Sequence, residues 1–82
     1  MDYKVRASRS KALMQNEHFQ LIMKDLQNQQ LEGFANSSAD EVEKREDAHA
    51  ILRALKQIEY LLQADINAEI LIEKKDRHRH DD

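Results

Sequence analysis

Two stretches with apolar residues at helical spacing, one short and one long, stand on either side of the chain's only glycine, Gly33. The short stretch runs over about residues 11–31 and the long one over about residues 39–75. Proline is absent, so no residue breaks either stretch, and the abundance of Ala, Leu, Glu, Gln, Lys and Arg favours helix throughout. At 1.5 Å per residue the two helices would span about 32 Å and about 55 Å. The expected fold is therefore all-α: a two-helix antiparallel hairpin, short helix about 11–31 and long helix about 39–75, assembling into a helical bundle or coiled coil.

In the first stretch Phe19, Ile22, Met23 and Leu26 fall at i, i+3, i+4 and i+7 and share one face. Asn16 and Gln30 lie close to that stripe and weaken it at its ends. Gly33 is placed to close the helix in a left-handed conformation, with Phe34 folding back on the last turn. Ala35-Asn36-Ser37 reads as the loop. Ser38-Ala39-Asp40-Glu41 has the capping-box spacing Ser-x-x-Glu, and its acids suit a helix N-terminus. Beyond it Ala48, Ile51, Leu55, Ile58 and Leu62 alternate in steps of three and four, a heptad-like seam. Leu52, Ile66 and Ile70 widen it on one side; Ala54, Leu61 and Ile72 widen it on the other. Tyr60, Ala64 and Leu71 lie on the opposite side, so the end of this helix is apolar over much of its circumference, the pattern of a helix sandwiched between neighbours.

The hairpin geometry aligns the first helix with the second only to about residue 60. Leu61, Leu62, Ile66, Ile70, Leu71 and Ile72 then project beyond it, at a cost on the order of 1.5–3 kcal/mol for each large side chain left in water. Three arrangements cover them. The N-terminal segment could be helical and extend the first helix, although Tyr3 and Val5 are its only sizeable apolar residues. A second copy could pack there, or a different protein could dock. These six residues are the expected oligomer or partner interface.

Size points the same way. A chain of 82 residues without cysteine has a small core and no disulfide to reinforce it, so association is the remaining source of stability. The net charge of −3 argues against a general binder of nucleic acid or anionic membrane. Charge is nonetheless uneven. Residues 1–11 hold Lys4, Arg6, Arg9 and Lys11 against Asp2 alone, while residues 40–47 hold five acids against Lys44 and Arg45. Residues 1–9 read as a basic arm, 10–75 as the helical hairpin domain and 76–82 as a charged, flexible tail. Lys4, Arg6, Arg9 and Lys11 are the only candidate phosphate contacts.

No constellation points to catalysis, a cofactor or a metal. His18 and His49 fall on different helices, and His78-x-His80 sits in the tail without rigid support, whereas zinc takes a preorganised set. Asp65 and Glu69, one helical turn apart beside the apolar seam, read as partners for a neighbour's Lys or Arg. The chain is expected to be non-enzymatic. It has no apolar run long enough to span a bilayer and no apolar core behind its basic N-terminus; a cytoplasmic location is expected.

Ser8-Arg9-Ser10-Lys11-Ala12-Leu13 with Asn16-Glu17-His18-Phe19, a short Ser-rich loop, then Glu43-Lys44-Arg45-Glu46-Asp47 and Ala54-Leu55-Lys56-Gln57-Ile58, resembles small helical-hairpin proteins encoded in the morphogenesis gene clusters of tailed bacteriophages. The resemblance covers roughly residues 8–65. It implies a phage origin, hence the host cytoplasm, and a role near head, packaging or tail assembly; it carries over no catalytic or binding residue. Three functions follow in order: a self-associating structural or assembly factor; a small adaptor or inhibitor that binds a host or phage protein through the apolar end of the second helix; and nucleic-acid contact through the basic arm.

Overall fold

A computed structural model describes residues 2–80, with side chains described for residues 2–77. It is all-helical among these residues, with α1 Tyr3–Gln15, α2 Glu17–Ala35 and α3 Val42–His80. The expected two-helix hairpin is thus corrected to three helices. The segment read as one short helix is two, and the first begins at Tyr3 rather than near residue 11.

Asn16 makes the break. Its backbone is extended (φ −73°, ψ 117°), its side-chain oxygen accepts from the Phe19 amide at 2.8 Å, and its own amide donates to the Leu13 carbonyl at 3.1 Å. One residue therefore ends α1 and N-caps α2. Glu17 in the first turn complements the helix dipole. Gln20 Nε2 donates to the Met14 carbonyl, one of the acceptors that a helix end leaves without an internal partner. Read for its apolar stripe, Asn16 is only a weak point; its capping role comes from the bonds it makes to two helices.

The loop also differs from expectation. Gly33 lies inside α2 with no positive φ, and the helix runs on to Ala35, ending on Asn36. At the other side, the Glu41 carboxylate accepts from the Ser38 amide at 3.1 Å and from the Ser38 hydroxyl at 2.8 Å. That is half of the capping box. The other half is absent, because the Glu41 amide donates to the Ser38 backbone carbonyl at 3.0 Å, while the Ser38 hydroxyl also donates to Asp40 at 2.6 Å. Residues 38–41 form a turn, and α3 starts at Val42 rather than at residue 39. It ends at His80 rather than near residue 75.

Partners climb α3 as the first two helices descend. Leu31 lies by His49 and Leu52, Gln27 bonds to Glu59, Phe19 and Met14 lie by Leu62, and Ser10 bonds to Asp65. α1 and α2 thus run end to end, antiparallel to α3. Their thirteen and nineteen residues nearly match the 39 of α3, so the length mismatch largely disappears. The rod is 64 Å long and 24 by 19 Å across. Its length is close to the ~58 Å of α3 itself. Two helices side by side enclose little: Met23, Ala48, Leu55 and Ala7 are the buried apolar residues, and no large side chain is completely buried among the described residues.

Candidate functional site

The contact between α2 and α3 follows Met23, Ala48 and Leu55. On one flank of this line Gln27 Nε2 donates to Glu59 Oε1 at 3.1 Å. On the other flank, α3 carries a second seam: Ile51, Ala54, Ile58, Leu61, Asp65, Ala68 and Ile72 recur in strict steps of three and four, the heptad pattern that suits another helix.

The chain covers only the far half of that seam, and the cover is α1. Ser10 Oγ donates to Asp65 Oδ2 at 2.8 Å. Arg6 Nη2 lies 3.0 Å from Asp65 Oδ1, and Lys11 Nζ lies 3.1 Å from Glu69 Oε1. Tyr3 and Arg6 wall a small cavity of about 170 Å³ with Asp65 and Ala68. Ala7 is wholly buried and Ser10 nearly so; small side chains at i and i+3 let the backbone of α1 come close. Asp65 and Glu69 do pair with a neighbour's Arg and Lys, and the neighbour is the chain's own N-terminal helix. Ala7 and Ser10 escaped the sequence reading because neither belongs to an apolar stripe. No sequence signal marked them, because Ser10 meets Asp65 only through the fold.

The near half of the seam is bare. Ile51 and Ile58 are each 41% exposed and Leu61 51%; Ala54 is exposed. Beside them on the same flank of α2 lie Ile22, also exposed, and half-buried Leu26. The result is an apolar face two helices wide that stops where α1 begins.

The opposite flank has a smaller opening. Where α1 leaves the line of α2, Met14, Phe19, Met23 and Leu62 wall an open depression of about 480 Å³ rimmed by Gln20, Lys24 and Glu59. Half-buried Ile66 and exposed Ile70 continue the stripe of Leu62 along α3. The six residues expected to form one patch are therefore distributed. Leu61 belongs to the bare seam, and Leu62, Ile66 and Ile70 to the depression side. Ile72 shares the α1-facing stripe and is half-buried, and Leu71 points away from both flanks. Of the four basic residues, Arg6 and Lys11 are engaged with α3; Lys4 and Arg9 are exposed on α1.

At the turn, hydrogen bonds from the Ser38 amide and from Lys44, then from the Ser38 hydroxyl, draw the Glu41 carboxyl down to about 2. The same hydroxyl lowers Asp40. Lys44 completes the turn 2.9 Å from Glu41, and Arg45 donates to the carbonyls of Ser38 and Ala39. These bonds organise the loop. Among the described residues no group of three or more His, Asp or Glu is placed to hold a metal ion, and no helix is long and apolar enough to cross a membrane. The side chains of His78 and His80 lie outside the described residues. No protein family matches the chain, nor does any curated protein or solved structure.

Proposed function

We propose that this chain is a non-enzymatic, self-associating structural or assembly factor. One observation carries the reading: the accessible surface is 6804 Å², where a compact protein of this mass exposes about 5,100 Å². The surplus, about 1,700 Å², compares with the roughly 800 Å² that each partner contributes to a standard interface. Large hydrophobic side chains are exposed along it, among them Ile22, Ile51, Ile58, Leu61 and Ile70, and exposed apolar patches mark interaction sites. The setting in phage morphogenesis rests on the resemblance over residues 8–65. The test is the solution mass across a wide concentration range: a mass that is a multiple of the chain's supports self-association, and a monomer throughout overturns it.

A second reading, a small adaptor or inhibitor, is favoured by the depression beside Leu62. Methionine is flexible and polarizable, so Met14 and Met23 suit an apolar partner of variable shape, such as an amphipathic helix. It predicts a monomer that binds one defined protein and loses it on Ile66→Asp.

A further inference from the structure

We infer that the bare seam is covered by a second copy of this chain, packed flank to flank and antiparallel, with its two-fold axis near residue 56. The inference rests on the self-association reading and names the surface, the partner and the register.

Three observations converge. The first is continuity. Residues 51–72 form one heptad seam; among the described residues its far half carries α1 and its near half, Ile51 to Leu61, carries no such helix. The face requires helical cover of the kind α1 already supplies further along. A two-fold axis near residue 56 sets Ile51 against Leu61 of the second copy and Ala54 against its Ile58, so the patch is self-complementary, as an isologous contact demands.

The second is area. The bare seam with Ile22 and Leu26 is two helices wide and lies on the side where, among the described residues, no further element packs. Closing it would remove part of the surface surplus from both copies and produce a four-helix cross-section at the middle of the rod. Four helices can enclose Ile51 and Ile58, which two helices leave 41% exposed.

The third is charge. α1 carries Lys4, Arg6, Arg9 and Lys11 and no acid between Tyr3 and Gln15. The turn and first part of α3 carry Asp40, Glu41, Glu43, Glu46 and Asp47 against Lys44 and Arg45. The two α3 helices cross near residue 56, so residues 40–47 of one copy pass level with residues 65–72 of the other but beside α1, which fills the seam there. The antiparallel arrangement brings the acidic end of each copy beside the neighbour's α1, where Arg6 and Lys11 are already paired with Asp65 and Glu69 and exposed Lys4 adds positive charge, while a parallel one would set one acidic turn against the other. Charge thus selects direction, and the apolar seam supplies the contact. α1 has a place in this assembly: it ends the vacant stretch and limits how far the second copy can slide.

The chain has no native cysteine, which makes the register directly testable. Ala54 is exposed, and the two copies of it would lie about 6 Å apart along the rod axis; the two copies of Ile70 would lie about 42 Å apart. Ala54→Cys and Ile70→Cys are prepared in the full chain, checked for unchanged helicity, and treated with a short thiol–thiol cross-linker. The expected result is a covalent dimer from Ala54→Cys and almost none from Ile70→Cys. A dimeric mass with trapping through Ile70→Cys instead, or equally through both, overturns this interface and leaves self-association standing. A monomeric mass at every concentration overturns both. Ile58→Asp should weaken association at least about tenfold, because each copy would carry a carboxylate into the contact. Raising the salt from 50 mM to 1 M should also weaken it; association that strengthens with salt would overturn the antiparallel charge pairing.

Discussion

The two halves of the second seam on α3 differ in how they are recognised. Residues 65–72 are covered although the seam there includes a carboxylate, and residues 51–61 are bare although the seam there is wholly apolar. The covered half is specified by a small set of directional contacts: Ser10 and Arg6 on Asp65, Lys11 on Glu69, and the tight fit of Ala7. Such contacts select one helix in one register. An apolar face has no such directionality and accepts any complementary helix, including one from another copy. The chain uses specific polar pairing where it folds on itself and keeps the adaptable apolar surface outward.

The same substitution placed in both halves separates them most sharply. Ala7→Leu inserts a large side chain where α1 has no free space and should destabilise the fold by about 1–3 kcal/mol. Ala54→Leu, on the bare half, should leave monomer stability within about 0.5 kcal/mol. Equal losses in chemical denaturation would mean that the halves do not differ in packing. Asn16→Ala removes the oxygen that caps α2 and turns α1 aside, and should cost about 1 kcal/mol. Amide exchange should then rise in α1 more than in α3, since the covered half depends on that turn.

The remaining two effects are smaller and lie outside the seam, so they test whether its cover is independent of the loop. Gly33 sits in helix with open space around a would-be Cβ, so Gly33→Ala should stabilise by roughly 0.5–1 kcal/mol. A loss would indicate that the glycine's flexibility is needed after all. The Glu41 carboxyl is held below its ordinary 4.5, at about 2. Its contribution is therefore full above about pH 4.5 and is lost as pH falls towards 2. The Ser38 amide resonance should titrate with a midpoint near 2; a midpoint near 4.5 would show that the turn's carboxylate–amide bond does not form in solution.

Helical character was legible from composition alone, and Met23, Ala48 and Leu55 from spacing. The break at Asn16 was harder to see, because asparagine caps a helix only when its side chain turns back to an amide, and the same residue inside a helix looks like a weak seam position. α1 was harder still. Tyr3, Ala7, Ser10 and Met14 form no apolar stripe, so periodicity carried no sign that this segment would pack. Gly33 misled for the opposite reason: its conformational freedom permits a helix end without requiring one, and the following Phe34 and Ala35 continue the helix.

By itself, then, the sequence determined that the chain is helical, that α3 is long and carries more apolar surface than one neighbour can cover, and that charge is segregated between the N-terminal segment and the start of α3. Those properties are local and follow from propensity, spacing and residue type. Only the tertiary structure decided which part of the surplus surface the chain covers and which part it leaves bare. That choice depends on Ser10, Arg6 and Lys11 meeting carboxylates more than fifty residues away, and no local signal encodes a contact between groups so far apart along the chain.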